Sequence, residues 1–226
     1  FAGWIAALAL TYTAGLVTLV GAKVYGGKVV TEEYLLIAPD IRLGLMADGL
    51  SLPTLGVVCL LCAALAFYSI RYVEHRVELL YADESGSIQL SYYARFFYLF
   101  LFFPTGFIGT ILSTNLVSIY FFLEVLTIAL FFLMAYFGYQ ERVRTAFISL
   151  AWGIIGALLF LTASLIVYSQ LETLEISALH RLAGQRFVTG TIALFLVSLM
   201  MKLALVPFHV WMPRVHAEHP TCIAGL

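Results

Sequence analysis

The longest apolar stretch of the chain runs from residue 96 to residue 140 and reads FFYLFLFFPTGFIGTILSTNLVSIYFFLEVLTIALFFLMAYFGYQ. It contains one charged residue, Glu124, and as a single helix it would be about 67 Å long. Because the hydrocarbon core of a bilayer is only ~30 Å thick, the stretch must cross it twice. Ser113, Thr114 and Asn115 supply turn and N-cap side chains near its middle. We therefore predict two membrane-spanning helices, at about 95–112 and 115–138.

Apolar segments on either side of this stretch predict four more spans, at about 1–22, 49–71, 145–170 and 188–209. The 226 residues are 62% hydrophobic and only 11% charged, whereas a soluble domain carries about 25% charged residues. The net charge of −1 and the lack of a basic block exclude a nucleic-acid partner. The predicted fold class is an all-α membrane protein with about six transmembrane helices, and residues 1–226 form a single membrane domain in the lipid bilayer.

The last predicted span is interrupted by proline. Pro207 lies inside it, and Pro213 and Pro220 follow closely. A proline removes a backbone donor and strains a helix, and within a membrane the freed polar groups need protein or water around them. We therefore predict that this helix is broken near Pro207, with a polar environment beside the break.

Two charged residues, Glu124 and Lys202, lie well inside predicted spans. A charge at the bilayer centre costs at least ~2.5 kcal/mol, so both side chains must face protein, water or each other. We predict a mid-membrane ion pair on a proton path, since burial favours the neutral forms while the partner's charge favours the ionised ones. Separating the partners then makes Lys202 release its proton. The alternative is a static ion pair that joins two helices.

Histidines near the broken helix are further candidates for chemistry. His209 is a candidate proton relay because imidazole titrates near neutral pH; the alternative is a histidine at the membrane interface that bonds to a carbonyl. His216, Glu218 and His219 match neither H-E-x-x-H nor H-x-x-E-H, so no metal site is predicted. Nucleotide-binding glycine motifs are also absent from the sequence. We expect neither a cofactor nor a catalytic residue in this chain.

The string KLALVPFHVWMPRVHAEHPT, from Lys202 to Thr221, resembles the signature of the antiporter-like subunits of respiratory complex I. In that family a lysine is followed by Pro-Phe/Leu-His-x-Trp-Leu-Pro and then by Ala-His-x-Glu-Ala-Pro-Thr. Two further stretches are similar to family motifs: DGLSLP at Asp48–Pro53, and the glutamate-bearing helix within 113–138. The His-x-Glu…Pro element is most similar to the chain M (chain 4) type of subunit.

This resemblance implies a proton-translocating membrane subunit of an NADH:quinone oxidoreductase, in which Glu124 and Lys202 form the pair that gates proton movement. The chain would be a fragment that holds the second to the seventh of fourteen family helices. Quinone, NADH, flavin and iron–sulfur clusters are expected only in partner subunits, so this chain itself would contain no redox centre. The implied partners are other membrane subunits, and the implied location is a prokaryotic plasma membrane rather than the mitochondrial inner membrane.

The chain departs from the family pattern at several positions. Leu123 and Ala204 stand where tryptophan and proline are usual, and His219 stands where alanine is usual; Met212 and Arg214 also differ. Two assignments besides complex I therefore stay open, a subunit of a multisubunit Na⁺/H⁺ antiporter and a subunit of a membrane-bound hydrogenase. A purely structural membrane subunit, whose ion pair never titrates, is a third alternative.

Overall fold

The computed structural model describes residues 1–38, 41–81, 90–185 and 187–224. Five helices are long and apolar enough to cross a membrane, and a shorter apolar helix of 15 residues follows them. The predicted class, an all-α membrane protein with about six transmembrane helices, is thereby confirmed. The six helices are α1 (Ala2–Tyr25), α2 (Ser51–Tyr81), α3 (Leu90–Leu112), α4 (Leu116–Phe137), α5 (Arg142–Leu171) and α6 (Val188–Lys202).

The helices pack mainly against their neighbours along the chain. The largest core lies between α1, α2, α3 and α4, and Phe96, Phe100 and Phe137 are fully buried in it. Helix α5 packs against both α4 and α6. After α6 the chain forms a short 3-10 turn (Phe208–Trp211) and two short helices, α7 (Met212–Glu218) and α8 (Thr221–Ala224). Helix α7 packs against α5, and α8 packs against α2, so the segment after the break returns to the bundle.

The predicted reversal at residues 113–115 is present. Asn115 is the N-cap of α4, and its side chain accepts a hydrogen bond from the Ser118 amide at 2.8 Å. Such a cap satisfies one of the amides that a helix leaves unpaired in its first turn. The reversal therefore takes place where the local side-chain chemistry favours it.

A β-hairpin lies between α1 and α2, in a segment for which the sequence predicts neither a helix nor a strand. Its strands β1 (Val30–Ala38) and β2 (Ile41–Ala47) pair in antiparallel fashion. The Thr114 amide donates to the Gly44 carbonyl at 3.2 Å, and the Ile176 amide donates to the Thr114 carbonyl at 3.0 Å. The hairpin thus docks on the α3–α4 turn, and the segment after α5 docks on the same turn.

Two helix ends differ most from the predicted span boundaries. Helix α2 continues to Tyr81 rather than ending near residue 71, because its polar residues extend the helix beyond the apolar part. Helix α6 ends at Lys202, although the predicted span runs to residue 209. The physical reason for the second difference is a C-terminal capping motif.

The C-terminal cap of α6 is a Schellman motif. The Leu205 amide donates to the Met200 carbonyl at 2.8 Å, and the Ala204 amide donates to the Met201 carbonyl at 3.3 Å. Ala204 has the left-handed backbone conformation that this motif requires, with φ of 49°. The helix therefore stops before Pro207, whose missing amide alone would have placed the break several residues later.

The hydrogen bonds at the N-terminus of α2 predict that the stability of the protein depends on pH. An Asp48 carboxylate oxygen accepts hydrogen bonds from the Ser51 amide at 2.8 Å and from the Leu50 amide at 3.1 Å. These bonds, that of Ser51 above all, lower the pKa of Asp48. These bonds favour the ionised form of Asp48. They therefore stabilise the folded protein fully above 3.8, the pKa of the carboxyl in the unfolded chain. This stabilisation is lost as the pH falls through the lower pKa that Asp48 has in the folded protein.

We expect Asp48→Ala to lower the free energy of unfolding by about 1 kcal/mol at neutral pH. The measurement is thermal unfolding of the purified protein in detergent between pH 3 and pH 7. The difference between wild type and variant should shrink towards acidic pH. Asp48→Asn is the control, because an amide retains the acceptor oxygen but does not titrate. If the difference in stability between wild type and Asp48→Ala stays constant with pH, the pH dependence does not come from Asp48.

Candidate functional site

The structure brings together Glu124 of α4 and Lys202 of α6. The Lys202 Nζ atom lies 2.9 Å from Glu124 Oε1, and the side chains are 10% and 22% exposed, respectively. At this distance and burial the pair is a charge-assisted hydrogen bond shielded from bulk solvent. The two charges that the sequence places inside spans therefore neutralise each other, as the cost of an isolated charge in lipid requires.

A second oxygen of α4 contacts the same ammonium. The Thr127 hydroxyl donates to the Leu123 carbonyl at 2.9 Å and accepts from Lys202 Nζ at 3.3 Å. Thr127 was not predicted from the sequence, although it lies three residues after Glu124 and so on the same helix face. Its hydroxyl gives Lys202 a neutral partner beside the carboxylate.

Two glycines of α5 make room for the pair. A Cβ atom on Gly153 would lie 2.7 Å from Thr127 Cγ2, and one on Gly156 would lie 3.2 Å from Lys202 Cγ. The Gly156 carbonyl also accepts a hydrogen bond from the buried Ser198 hydroxyl of α6 at 2.7 Å. Since α5 packs against both α4 and α6, these small residues let it approach both helices at the level of the site.

The end of α6 places the ammonium at a helix C-terminus. Lys202 is the last residue of α6, and the carbonyls of a final turn carry a partial negative charge that favours a cation. The break in the helix is therefore an electrostatic element of the site as well as a kink.

A cavity of about 360 Å³ adjoins Lys202, and side chains from α3, α4, α5, α6 and α7 line it. Most of the lining is apolar. The polar members are Lys202, Thr127, Ser149, His216 and His219, with the indole of Trp211. A water molecule in such a space needs polar partners, and these side chains can supply them. The ammonium therefore has room beside it for a proton acceptor or a short water chain.

The structure places His209 away from the pair. It is exposed in the 3-10 turn Phe208–Trp211 and is not among the residues that line the cavity, so its role as a relay stays a prediction. His216, considered above only as a metal ligand, does line the cavity. The Glu218 carboxylate instead accepts from the Glu141 amide at 2.9 Å, and the Glu218 carbonyl accepts from the Tyr139 amide at 3.0 Å. These bonds tie α7 to the α4–α5 connection.

Comparison with known proteins identifies the family. A family model described as NADH:quinone oxidoreductase/Mrp antiporter, TM, matches residues 113–226. A putative antiporter subunit mnhA2 of Staphylococcus haemolyticus is 27% identical over 231 residues, which cover 100% of this chain and 27% of the relative. The mnhA2 protein of Staphylococcus epidermidis is 28% identical over 194 residues, covering 82% of this chain and 22% of the relative. The chain thus spans about a quarter of the length of these curated relatives.

Solved structures show the same fold. The Mrp complex from Dietzia sp. DQ12-45-1b contains a chain that matches with a TM-score of 0.80 and 22% identity, over 97% of this chain and 39% of that one. The membrane-bound sulfane sulfur reductase, an archaeal respiratory membrane complex, contains a chain that matches with a TM-score of 0.71 and 20% identity, over 98% of this chain and 43% of that one. Both similarities concern the fold.

The matched region includes both Glu124 and Lys202. The bacterial source of the mnhA2 relatives agrees with the predicted prokaryotic plasma membrane. The predicted antiporter-like family is confirmed. This chain is an integral membrane protein that belongs to the antiporter-like transmembrane family of NADH:quinone oxidoreductases and Mrp antiporters.

Proposed function

We propose that this chain carries protons within a subunit of a multisubunit cation/proton antiporter of the Mrp type. The observation that carries the proposal is the 2.9 Å pair between Lys202 and Glu124, which lies beside a cavity that can hold water. The names of the mnhA2 relatives support an antiporter rather than a redox-driven pump. Other membrane subunits are the expected partners, and the resemblance to complex I assigns no cofactor to this chain.

In the proposed mechanism Lys202 is the proton carrier and Glu124 sets its proton affinity. While the two side chains touch, the ammonium is stabilised by the carboxylate, by Thr127 and by the end of α6. When Glu124 moves away, the ammonium loses its largest stabilising partner in a poorly solvated site and passes its proton to cavity water. Return of Glu124 favours reprotonation.

The energies involved are of the right size. Moving one charge across 100 mV is worth ~2.3 kcal/mol, and a tenfold change in proton affinity corresponds to ~1.4 kcal/mol. A change of about two orders of magnitude in the proton affinity of Lys202 is therefore comparable to the gradient that an antiporter works against. Breaking one partly buried ion pair supplies a change of this order.

A second candidate function is proton pumping in a complex I-like oxidoreductase. The string from Lys202 to Thr221 favours it through its resemblance to the chain M type of subunit, and the same pair would carry the proton. In that case electron transfer through quinone, flavin and iron–sulfur clusters of partner subunits would drive the separation of Lys202 from Glu124.

The test measures which driving force moves protons. The protein is expressed with its neighbouring subunits in a bacterial strain that lacks its own Na⁺/H⁺ antiporters, and everted membrane vesicles are loaded with a pH-sensitive dye. We expect added Na⁺ to dissipate a preformed pH gradient without any electron donor. Vesicles from the strain without these genes are the control. A pH gradient that forms only with a donor and a quinone, and does not respond to Na⁺, would favour the second candidate.

A further inference from the structure

The Lys202 ammonium has three hydrogens, and the protein engages two of them. One is donated to Glu124 Oε1 at 2.9 Å, and a second is donated to the Thr127 hydroxyl oxygen at 3.3 Å. An ammonium carries three donors and no acceptor. Within the described part of the chain, no other group accepts a hydrogen bond from this nitrogen. The third hydrogen is therefore the one that can leave without breaking either contact.

The space beside this third hydrogen is the cavity. Lys202 and Thr127 both line it, whereas Glu124 is not among the lining residues. Helix α5 packs against the lysine stem, since a Cβ atom on Gly156 would lie 3.2 Å from Lys202 Cγ. Because α4 supplies the two bonded oxygens and α5 covers the stem, the hydrogen without a partner is directed into the cavity.

The Thr127 hydroxyl acts towards Lys202 as an acceptor alone. Its own hydrogen is donated to the Leu123 carbonyl at 2.9 Å, so the oxygen presents only lone pairs to the ammonium. The Thr127 methyl group faces α5, because a Cβ atom on Gly153 would lie 2.7 Å from Thr127 Cγ2. A methyl group packed on α5 and a hydroxyl bonded to its own helix favour one rotamer of this β-branched side chain. The acceptor is thereby fixed in place.

A lysine head group needs more than one contact to hold the direction of its N–H bonds. The side chain is a flexible four-carbon stem with three rotatable donors, and an ammonium held by one hydrogen bond still turns about that bond. A second bond removes this rotation. Glu124 and Thr127 are three residues apart and share one face of α4, so together they set both the position of the nitrogen and the direction of its third hydrogen.

We propose that Thr127 is a positioning residue for proton release, which holds the Lys202 ammonium at the cavity with one hydrogen directed into it. When the Glu124 carboxylate moves away, the bond to Thr127 remains and keeps the nitrogen in place. The N–H bond that points into the cavity then breaks, its electron pair stays on the nitrogen, and the proton passes to a water oxygen. This inference rests on the proposed function, since it assumes that Lys202 carries the proton.

The test compares Thr127→Val with Thr127→Ser in the same Na⁺-driven vesicle assay. Valine has nearly the shape of threonine and keeps a methyl group against Gly153, but it accepts no hydrogen bond. Serine keeps the hydroxyl and its bond to the Leu123 carbonyl, but it loses the methyl group. Because a misplacement of ~1 Å can cost about 10²-fold in rate, we expect Thr127→Val to lose at least about tenfold in proton flux. Thr127→Ser should keep most of the flux.

Thr162→Val is the matched control. The Thr162 hydroxyl also donates to the carbonyl four residues earlier, that of Leu158, at 2.8 Å, but Thr162 is exposed on α5. This substitution should leave proton flux unchanged. The amount of each variant in the membrane and its thermal unfolding midpoint in detergent are measured alongside, so that flux is compared for equal amounts of folded protein.

The two substitutions at Thr127 separate positioning from packing, because a packing role predicts the opposite order of flux. Normal flux in Thr127→Val, with flux abolished in Lys202→Arg, would overturn the role of Thr127 and keep the proposed function. An equal loss of flux in Thr127→Ser and Thr127→Val, or loss of Thr127→Val from the membrane, would also overturn it in favour of packing. Normal flux in Lys202→Arg would remove the proposed function and the positioning role together.

Discussion

Replacing Lys202 with arginine should reduce Na⁺-driven proton flux by at least about 10²-fold, while the protein remains in the membrane at normal levels. Arginine keeps the positive charge and pairs well with a carboxylate, but its guanidinium effectively never releases a proton. The cavity beside Lys202 has room for the larger head group. The expected outcome therefore separates proton release from charge pairing, because only the first of these two properties is lost.

Lys202→Ala is less decisive, since it also leaves the Glu124 carboxylate without its partner. Removing one member of a buried ion pair costs about 3–5 kcal/mol, and the 22% exposure of Glu124 places the expected cost at or below the lower end. Lys23→Arg is the matched control, because Lys23 is an exposed lysine near the end of α1. Normal flux in Lys202→Arg would show that the pair is static and joins two helices.

Gly138→Ala should lower the stability of the protein. A Cβ atom at this position would lie 2.6 Å from the Met134 carbonyl oxygen and 2.7 Å from the Glu218 carbonyl oxygen. Backbone atoms cannot rotate away as a flexible side chain can, so either the end of α4 or the end of α7 must move. Overpacking of this kind costs about 1–3 kcal/mol. Such a shift also strains the bond between the Tyr139 amide and the Glu218 carbonyl, which ties α7 to the α4–α5 connection.

Thermal unfolding in detergent checks this prediction, and the midpoint should fall by several degrees. Gly15→Ala and Gly190→Ala are matched controls, because both glycines lie in helices and no atom lies within 4 Å of an added Cβ. Alanine is the better helix former by up to ~1 kcal/mol, so these variants should be as stable as the wild type or more stable. Equal stability of Gly138→Ala and Gly15→Ala would contradict the steric argument.

Much of the architecture follows from local properties of the chain. The apolar run from 96 to 140 is too long for one crossing, and the reversal lies at Asn115, where a capping side chain is available. Glu124 and Lys202 are found together because a lone charge in lipid is costly and the chain offers each of them one partner inside a span. The length and hydropathy of each apolar segment, and the positions of charged residues within it, follow from the sequence alone.

Tertiary structure decided which other side chains reach the pair. His209 and His219 both follow the break, with His219 further along the chain, yet of these two only His219 lines the cavity. Thr127 contacts Lys202 because Gly153 and Gly156 let α5 approach its two neighbours closely. Strand β2 docks on the α3–α4 turn through a bond between residues distant in sequence.

The amino-acid sequence by itself determined the membrane class, the number of apolar helices, the reversal at Asn115 and the two charges that must meet. The tertiary structure alone decided the cavity and the burial of His219. The physical reason is the separation in sequence over which each effect acts. Hydropathy and capping involve a few neighbouring residues, whereas the lining of a cavity depends on the rotation and spacing of helices that are distant in the chain.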